Sequence, residues 1–230
     1  MPLVLLHALP LDGSMWPDEV RGLAPDVVAP TLYGLGDSVE DWARGVLDLA
    51  GSGSLDVVGC SVGGSCAVEV ARLAPDRVRS LVLVGAKAGH RPEPDRRDAA
   101  VRLLAEQGLD RAWDELWAPL FAPDADPAVV ARARRIARHQ DVDAVIRGVV
   151  AFHGRPDREQ FLEELDVPVL IVRGEHDRIP RDPAALAARL RHGRFTEVVG
   201  AGHYVPLERP AALAEVLRVA LDRGPTATTA

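Results

Sequence analysis

The 230-residue chain predicts an α/β fold, with a mostly parallel sheet of about six strands flanked by helices. Three observations carry this prediction. Six short apolar runs recur, at Leu3–Leu6, Val27–Ala29, Leu55–Val58, Leu81–Val84, Val167–Val172 and Phe195–Val199. They are continuous rather than alternating, as in strands covered on both faces. Stretches of helical spacing separate most of them, and strand–helix alternation with short right-handed crossovers makes a parallel sheet.

The elements follow in order. Leu3–Leu6 lacks a basic leader segment and a small-residue cleavage site, and His7 ends it, so it reads as a buried strand. Helices are expected at Gly13–Leu23, with Asp12 as its N-cap, and at Val39–Ala50, Val62–Ala74, Ala184–Arg191 and Ala211–Asp222. From Ala88 to Leu165 no strand is drawn. Arg96–Gln107 stops at Gly108, a C′ position, and Asp110–Trp117 stops before Pro119. Pro127–His139 opens on proline and carries Val129, Ala133, Ile136 and Ala137 at helical spacing, and Asp143–Phe152 carries Val145, Val149 and Phe152. A four-helix cap inserted after the fourth strand is therefore expected. Residues 1–87 and 166–223 would form the core, 88–165 the cap, and the Thr/Ala-rich stretch 224–230 a frayed tail.

Composition narrows the function. A net charge of −7 and a pI near 5.5 argue against nucleic acid, which needs clustered cations. No apolar run approaches the ~18 residues of a membrane span. Cys60 and Cys66 are too few for a disulfide framework, and no Cys/His spacing reads as a metal site. A cytoplasmic protein without a metal site is expected. Oligomeric state leaves no mark in the sequence.

The sharpest chemical signal is Gly59-Cys60-Ser61-Val62-Gly63-Gly64, directly after a strand and before a helix. G-x-S-x-G in that setting describes a nucleophile elbow, a strained turn that presents a serine. A Gly-rich turn with a buried serine is the bland reading. A serine nucleophile needs a base, and the base needs an acid to orient it, in chain order Ser, Asp/Glu, His. Asp177 follows the fifth run, with Glu175 and Asp182 as rivals, and His203 follows the sixth. Carboxyl ends of strands are where open parallel sheets build sites. Cys60, beside the serine, is expected to point inward as a small core residue. Backbone N–H groups of Val62 and of Leu9, in the loop after the first strand, are the expected oxyanion donors. Under the bland reading that loop is a plain strand–helix turn.

With these residues in hand, the chain resembles a serine α/β-hydrolase with a helical cap. It is similar to the branch of 3-oxoadipate enol-lactonases, pimeloyl-carrier methyl esterases and cofactor-free haloperoxidase/perhydrolase-type esterases. The matching segments are Leu5–Trp16, Gly59–Gly64, Gly174–Pro180 and Gly202–Glu208. Three departures stand out. Ala8 replaces a usual glycine, the family's first two antiparallel strands are absent, and Leu35 replaces a common histidine near the pocket.

The resemblance implies cofactor-free hydrolysis of a small-molecule substrate, an ester, lactone or thioester with a mainly apolar acyl or alkyl part. Five of the ten aromatic residues fall between Trp113 and Phe161. Trp113, Trp117, Phe121 and Phe152, with Leu35, are therefore the expected substrate wall, or else the cap's own core. Few basic residues lie in the matched loops, so no clamp for a polyanion is expected. The alternative is a non-hydrolytic protein on the same scaffold, a natural-product lyase or cyclase or a ligand binder.

Overall fold

The computed structural model of the protein describes residues 1–90 and 92–222. The expected tail, 224–230, and the last core residue lie outside them. Six strands form one wholly parallel sheet in the order β2-β1-β3-β4-β5-β6. They are β1 (Leu3–Leu6), β2 (Val27–Val28), β3 (Leu55–Cys60), β4 (Val78–Val84), β5 (Val169–Gly174) and β6 (Gly193–Val198). Each coincides with a predicted run, with ends moved by a few residues. The central strands β1 and β3 are buried along their whole length, which explains their largely apolar character; the one charge, Asp56 of β3, pairs with Arg79. From β1 the chain passes first to β2 on one side and then to β3 on the other. The order reverses between β1 and β3, and a crevice opens outside their carboxyl ends.

Helices α1 (Asp18–Arg21), α2 (Val39–Leu49), α3 (Val62–Leu73), α8 (Pro183–Arg189), α9 (Val205–Glu208) and α10 (Pro210–Asp222) accompany the sheet. One expected helix is corrected. Gly13–Leu23 is a single 3-10 turn, Gly13–Met15, followed by α1, because Pro17 between them is extended at ψ 161°. Asp12 does cap that turn, accepting from the Ser14 N–H. Ser38 caps α2 in the same way through the Asp41 N–H, and Trp42 of α2 is wholly buried.

Between β4 and β5 the described residues contain helices and no strand. They are α4 (Pro94–Ala112), kinked at Gly108, then a π turn, Trp113–Trp117, and a 3-10 turn, Ala118–Leu120. Next come α5 (Pro127–Arg138), α6 (Val142–Gly154) and α7 (Glu159–Glu164), a short helix the sequence did not signal. This insertion is tied to α3 by Glu69, whose side chain is 1% exposed and pairs with Arg72 at 2.6 Å and Arg158 at 2.5 Å. Removing both arginines would strand the buried Glu69 charge, at a cost of about 3–5 kcal/mol. No described helix is long and apolar enough to cross a membrane.

Candidate active site

Ser61 occupies the turn between β3 and α3 at φ 54°, ψ −116°, a conformation that L-residues rarely adopt. Its neighbours allow the turn. A methyl on Gly59 would lie 2.3 Å from the Gly63 carbonyl oxygen, and one on Gly63 2.3 Å from that of Leu6. Only glycines let α3 press this closely on β3 and β1. The Ser61 N–H is anchored to the Val84 carbonyl at 2.9 Å, which fixes the turn to β4. Cys60 points into the core and is wholly buried, as expected, and burial pushes its thiol pKa far up.

Beyond β5, Asp177 folds back on its strand through its own N–H to the Gly174 carbonyl. One carboxylate oxygen accepts the Ile179 N–H at 2.9 Å. The other lies 2.9 Å from His203 Nδ1. Both side chains are buried. The rival acids are engaged elsewhere. Glu175 accepts the Gly200 N–H, and Asp182 caps α8 through Ala185. A carboxylate on Nδ1 holds the proton there and leaves Nε2 as the basic nitrogen. Among the described residues no hydrogen bond joins His203 Nε2 to Ser61 Oγ; such contacts commonly tighten only when substrate is bound.

Two residues that sequence reasoning missed shape this pair. Gly85, at φ 58°, follows β4; a methyl there would sit 2.9 Å from Asp177 Oδ2 and 3.0 Å from His203 Nδ1. Its signal was a glycine directly after a strand. Glu208 is buried, and its carboxylate accepts three backbone N–H groups. Oε2 takes those of Gly202 (3.0 Å) and Ala122 (2.8 Å), and Oε1 takes that of Tyr204 (3.1 Å). Burial raises its pKa, and the three donors oppose that rise.

The loop after β1 is held tightly. His7 is wholly buried; its Nε2 accepts the Leu32 N–H at 2.8 Å, so Nδ1 carries the proton and faces the Ala8 carbonyl. Burial drives its pKa down to about 4, which keeps the ring neutral. Ala8, the residue in place of glycine, directs its N–H to Met15 Sδ at 3.3 Å. The Leu9 carbonyl accepts the Tyr204 hydroxyl at 2.9 Å. The Leu9 N–H donates to nothing among the described residues, and the Val62 N–H heads α3, where helical amides lack an internal acceptor.

The expected wall residues divide. Trp113, Trp117 and Phe121 are buried. Trp113 packs on Phe121 at 6.0 Å, Phe121 stacks on Tyr204 at 4.7 Å, and Tyr204 lies edge-on to His203 at 5.5 Å. Leu35 packs over Gly45 of α2. Phe152 alone of the five lines a cavity of about 470 Å³, whose wall includes neither Ser61 nor His203. Among the described residues, no group of three or more His, Cys, Asp or Glu is placed to hold a metal ion.

Compared with known proteins, residues 3–216 match the alpha/beta hydrolase family. An esterase of Mycobacterium tuberculosis is 28% identical over 96% of this chain and 82% of its own length. A carboxylesterase of Bacillus subtilis is 26% identical over 90% of this chain and 76% of its own. Among solved structures, a malate-bound thermophilic esterase from Thermogutta terrifontis superposes with a TM-score of 0.87 at 26% identity. That match covers 96% of this chain and 89% of the esterase.

Proposed function

The chain belongs to the alpha/beta hydrolase family and is a hydrolase, and on that basis we propose that it cleaves an ester, lactone or thioester through an acyl-enzyme on Ser61. The observation that carries this reading is the buried 2.9 Å bond between Asp177 and His203, set at the carboxyl edge of the sheet that also bears the strained Ser61. Buried histidine–carboxylate pairs beside an exposed nucleophile are the means by which a serine hydroxyl becomes reactive.

His203 Nε2 takes the Ser61 Oγ proton as Oγ attacks the carbonyl carbon. Asp177 stabilises the imidazolium that forms. The Leu9 and Val62 N–H groups receive the developing oxyanion. The tetrahedral adduct collapses, and His203 returns the proton to the leaving alcohol or thiol. Water, deprotonated by the same nitrogen, then cleaves the acyl-enzyme, and Ser61 recovers its proton.

The helical insertion, residues 88–165, serves as a cap over the site. The support is its contact with the histidine loop, where Leu120 accepts the His203 N–H and Ala122 donates to Glu208. Two free, buried thiols, Cys60 and Cys66, support a reducing, cytoplasmic setting.

Kinetics on p-nitrophenyl esters test the reading. Ser61→Ala should lower kcat by about 10⁴-fold or more with the fold intact. Retention of more than a tenth of the activity would overturn it.

A further inference from the structure

The 470 Å³ cavity lies at the carboxyl ends of β4 and β5, between the core and the helical insertion, and its wall is densely charged. Among the described residues four carboxylates reach it, and each has a partner. Glu159 pairs with Arg189, and Glu93 faces Arg96 at 3.4 Å. Asp157 accepts the N–H groups of His90 and of Glu159, and Asp182 accepts that of Ala185. Lys87, Arg155 and Arg181 also line the wall, and among the described residues none has a carboxylate within 4.0 Å.

Arg155 is the telling member. It is 5% exposed, and its guanidinium lies 4.0 Å from the centroid of the Phe152 ring. Nη1 donates to the Phe152 carbonyl at 2.5 Å and Nη2 reaches the Gly89 carbonyl at 3.5 Å. Nε is buried and donates to nothing among the described residues. A buried guanidinium with no carboxylate in direct contact is costly. Burial lowers Arg155 to about 10 against the opposing charges of Asp157 and Glu93, and burial with nearby Arg155, Arg96 and Arg181 lowers Lys87 against Glu93. An anion in the cavity would relieve both.

We propose that this cavity is a carboxylate subsite, in which Arg155, Lys87 and Arg181 receive a single carboxylate carried on the substrate. Charge and shape favour that ligand over phosphate. Among the described residues, five cations against four carboxylates leave one net positive charge on the wall. A rigid guanidinium fork matches a planar carboxylate. The cavity also adjoins the catalytic groups. Ala86 of its wall abuts Gly64 in the first turn after Ser61, and Gly85 abuts Asp177 and His203. A substrate with an ester at Ser61 and an acid group in the cavity would bridge this wall. The substrate role rests on the hydrolase reading, whereas anion binding does not.

Lys87 is the only lysine in the chain, so carbon-13 reductive methylation gives one side-chain reporter besides the N-terminus. Titration with succinate should shift the Lys87 signal saturably and raise its titration midpoint. Phosphate at equal ionic strength should shift it far less. Arg155→Gln should abolish the response. If that variant fails to fold, the exposed Arg181→Gln should weaken succinate binding by about fivefold. Kinetically, kcat/KM on monomethyl esters of succinic, glutaric and adipic acids is compared with that on the dimethyl esters. The half-ester should be preferred by ~10-fold for at least one length, and the ratio should collapse in Arg181→Gln.

Absence of a saturable succinate shift, or an equal response to phosphate, overturns the proposal. Turnover of neutral esters without succinate binding or half-ester preference removes the subsite and leaves the hydrolase reading. Succinate binding without turnover of any ester removes the hydrolase reading and leaves an anion site.

Discussion

His203 donates its backbone N–H to the Leu120 carbonyl at 2.8 Å, so the histidine loop hangs from the helical insertion as well as from the sheet. Glu208 doubles that link by accepting the N–H groups of Ala122 from the insertion and Gly202 from the loop. Glu208 thereby fixes the loop that carries His203, and under the proposed mechanism it is a positioning residue.

Glu208→Gln should therefore impair rate more than binding. An amide offers one acceptor oxygen where the carboxylate offers two, and its NH₂ would face backbone donors. The expected cost is ~1.5–3 kcal/mol in stability. Displacement of His203 by a fraction of an ångström should lower kcat by about 10–100-fold with little change in KM. A rise in KM at constant kcat would argue against the positioning role.

Trp113 is buried and packs on Phe121 within the insertion, which favours the packing role over the substrate wall. Trp113→Ala should cost about 3–5 kcal/mol in chemical denaturation. Relative kcat/KM across esters of graded acyl size should stay level. A change of selectivity by about tenfold or more would instead return Trp113 to the substrate wall.

The fold was legible because β1, β3, β4 and β5 are almost wholly buried, which writes them as mostly apolar runs, whereas the edge strands β2 and β6 are partly exposed. The Ser61 turn and the Asp177–His203 pair were legible because each sits directly after such a run. The helix expected at Gly13–Leu23 failed because Pro17 interrupts a pattern that apolar spacing alone treats as continuous. The charged cavity was illegible for a different reason. Lys87, Arg155 and Arg181 are scattered along the chain, and only the cavity they line, between the segments that follow β4, α6 and β5, unites them. Spacing rules see neighbours in sequence, and Glu208 and Gly85 act on residues brought near by the fold.

His7 makes the protein sensitive to acid. Its folded pKa, about 4, lies below the ordinary 6.5. Between those values the unfolded chain binds more protons than the folded one, so stability falls as pH drops through that window. The full effect is on the order of 3 kcal/mol. Urea unfolding of the wild type and of His7→Gln at pH ~7 and ~4.5 isolates the contribution, because the opposite tendency of Glu208 is common to both proteins. The wild type should lose ~2 kcal/mol more than the variant on acidification. Equal losses would mean that His7 does not carry the neutral, buried state described above.

The central claim is that Ser61 is the nucleophile, activated by His203, and covalent capture tests it most directly. Treatment with a fluorophosphonate, followed by intact-mass measurement and peptide mapping, should give one adduct per chain, on Ser61. Ser61→Ala should remain unlabelled, and His203→Ala should label at least ~10²-fold more slowly. An unmodified wild-type protein, or an adduct on any residue other than Ser61, would contradict the account.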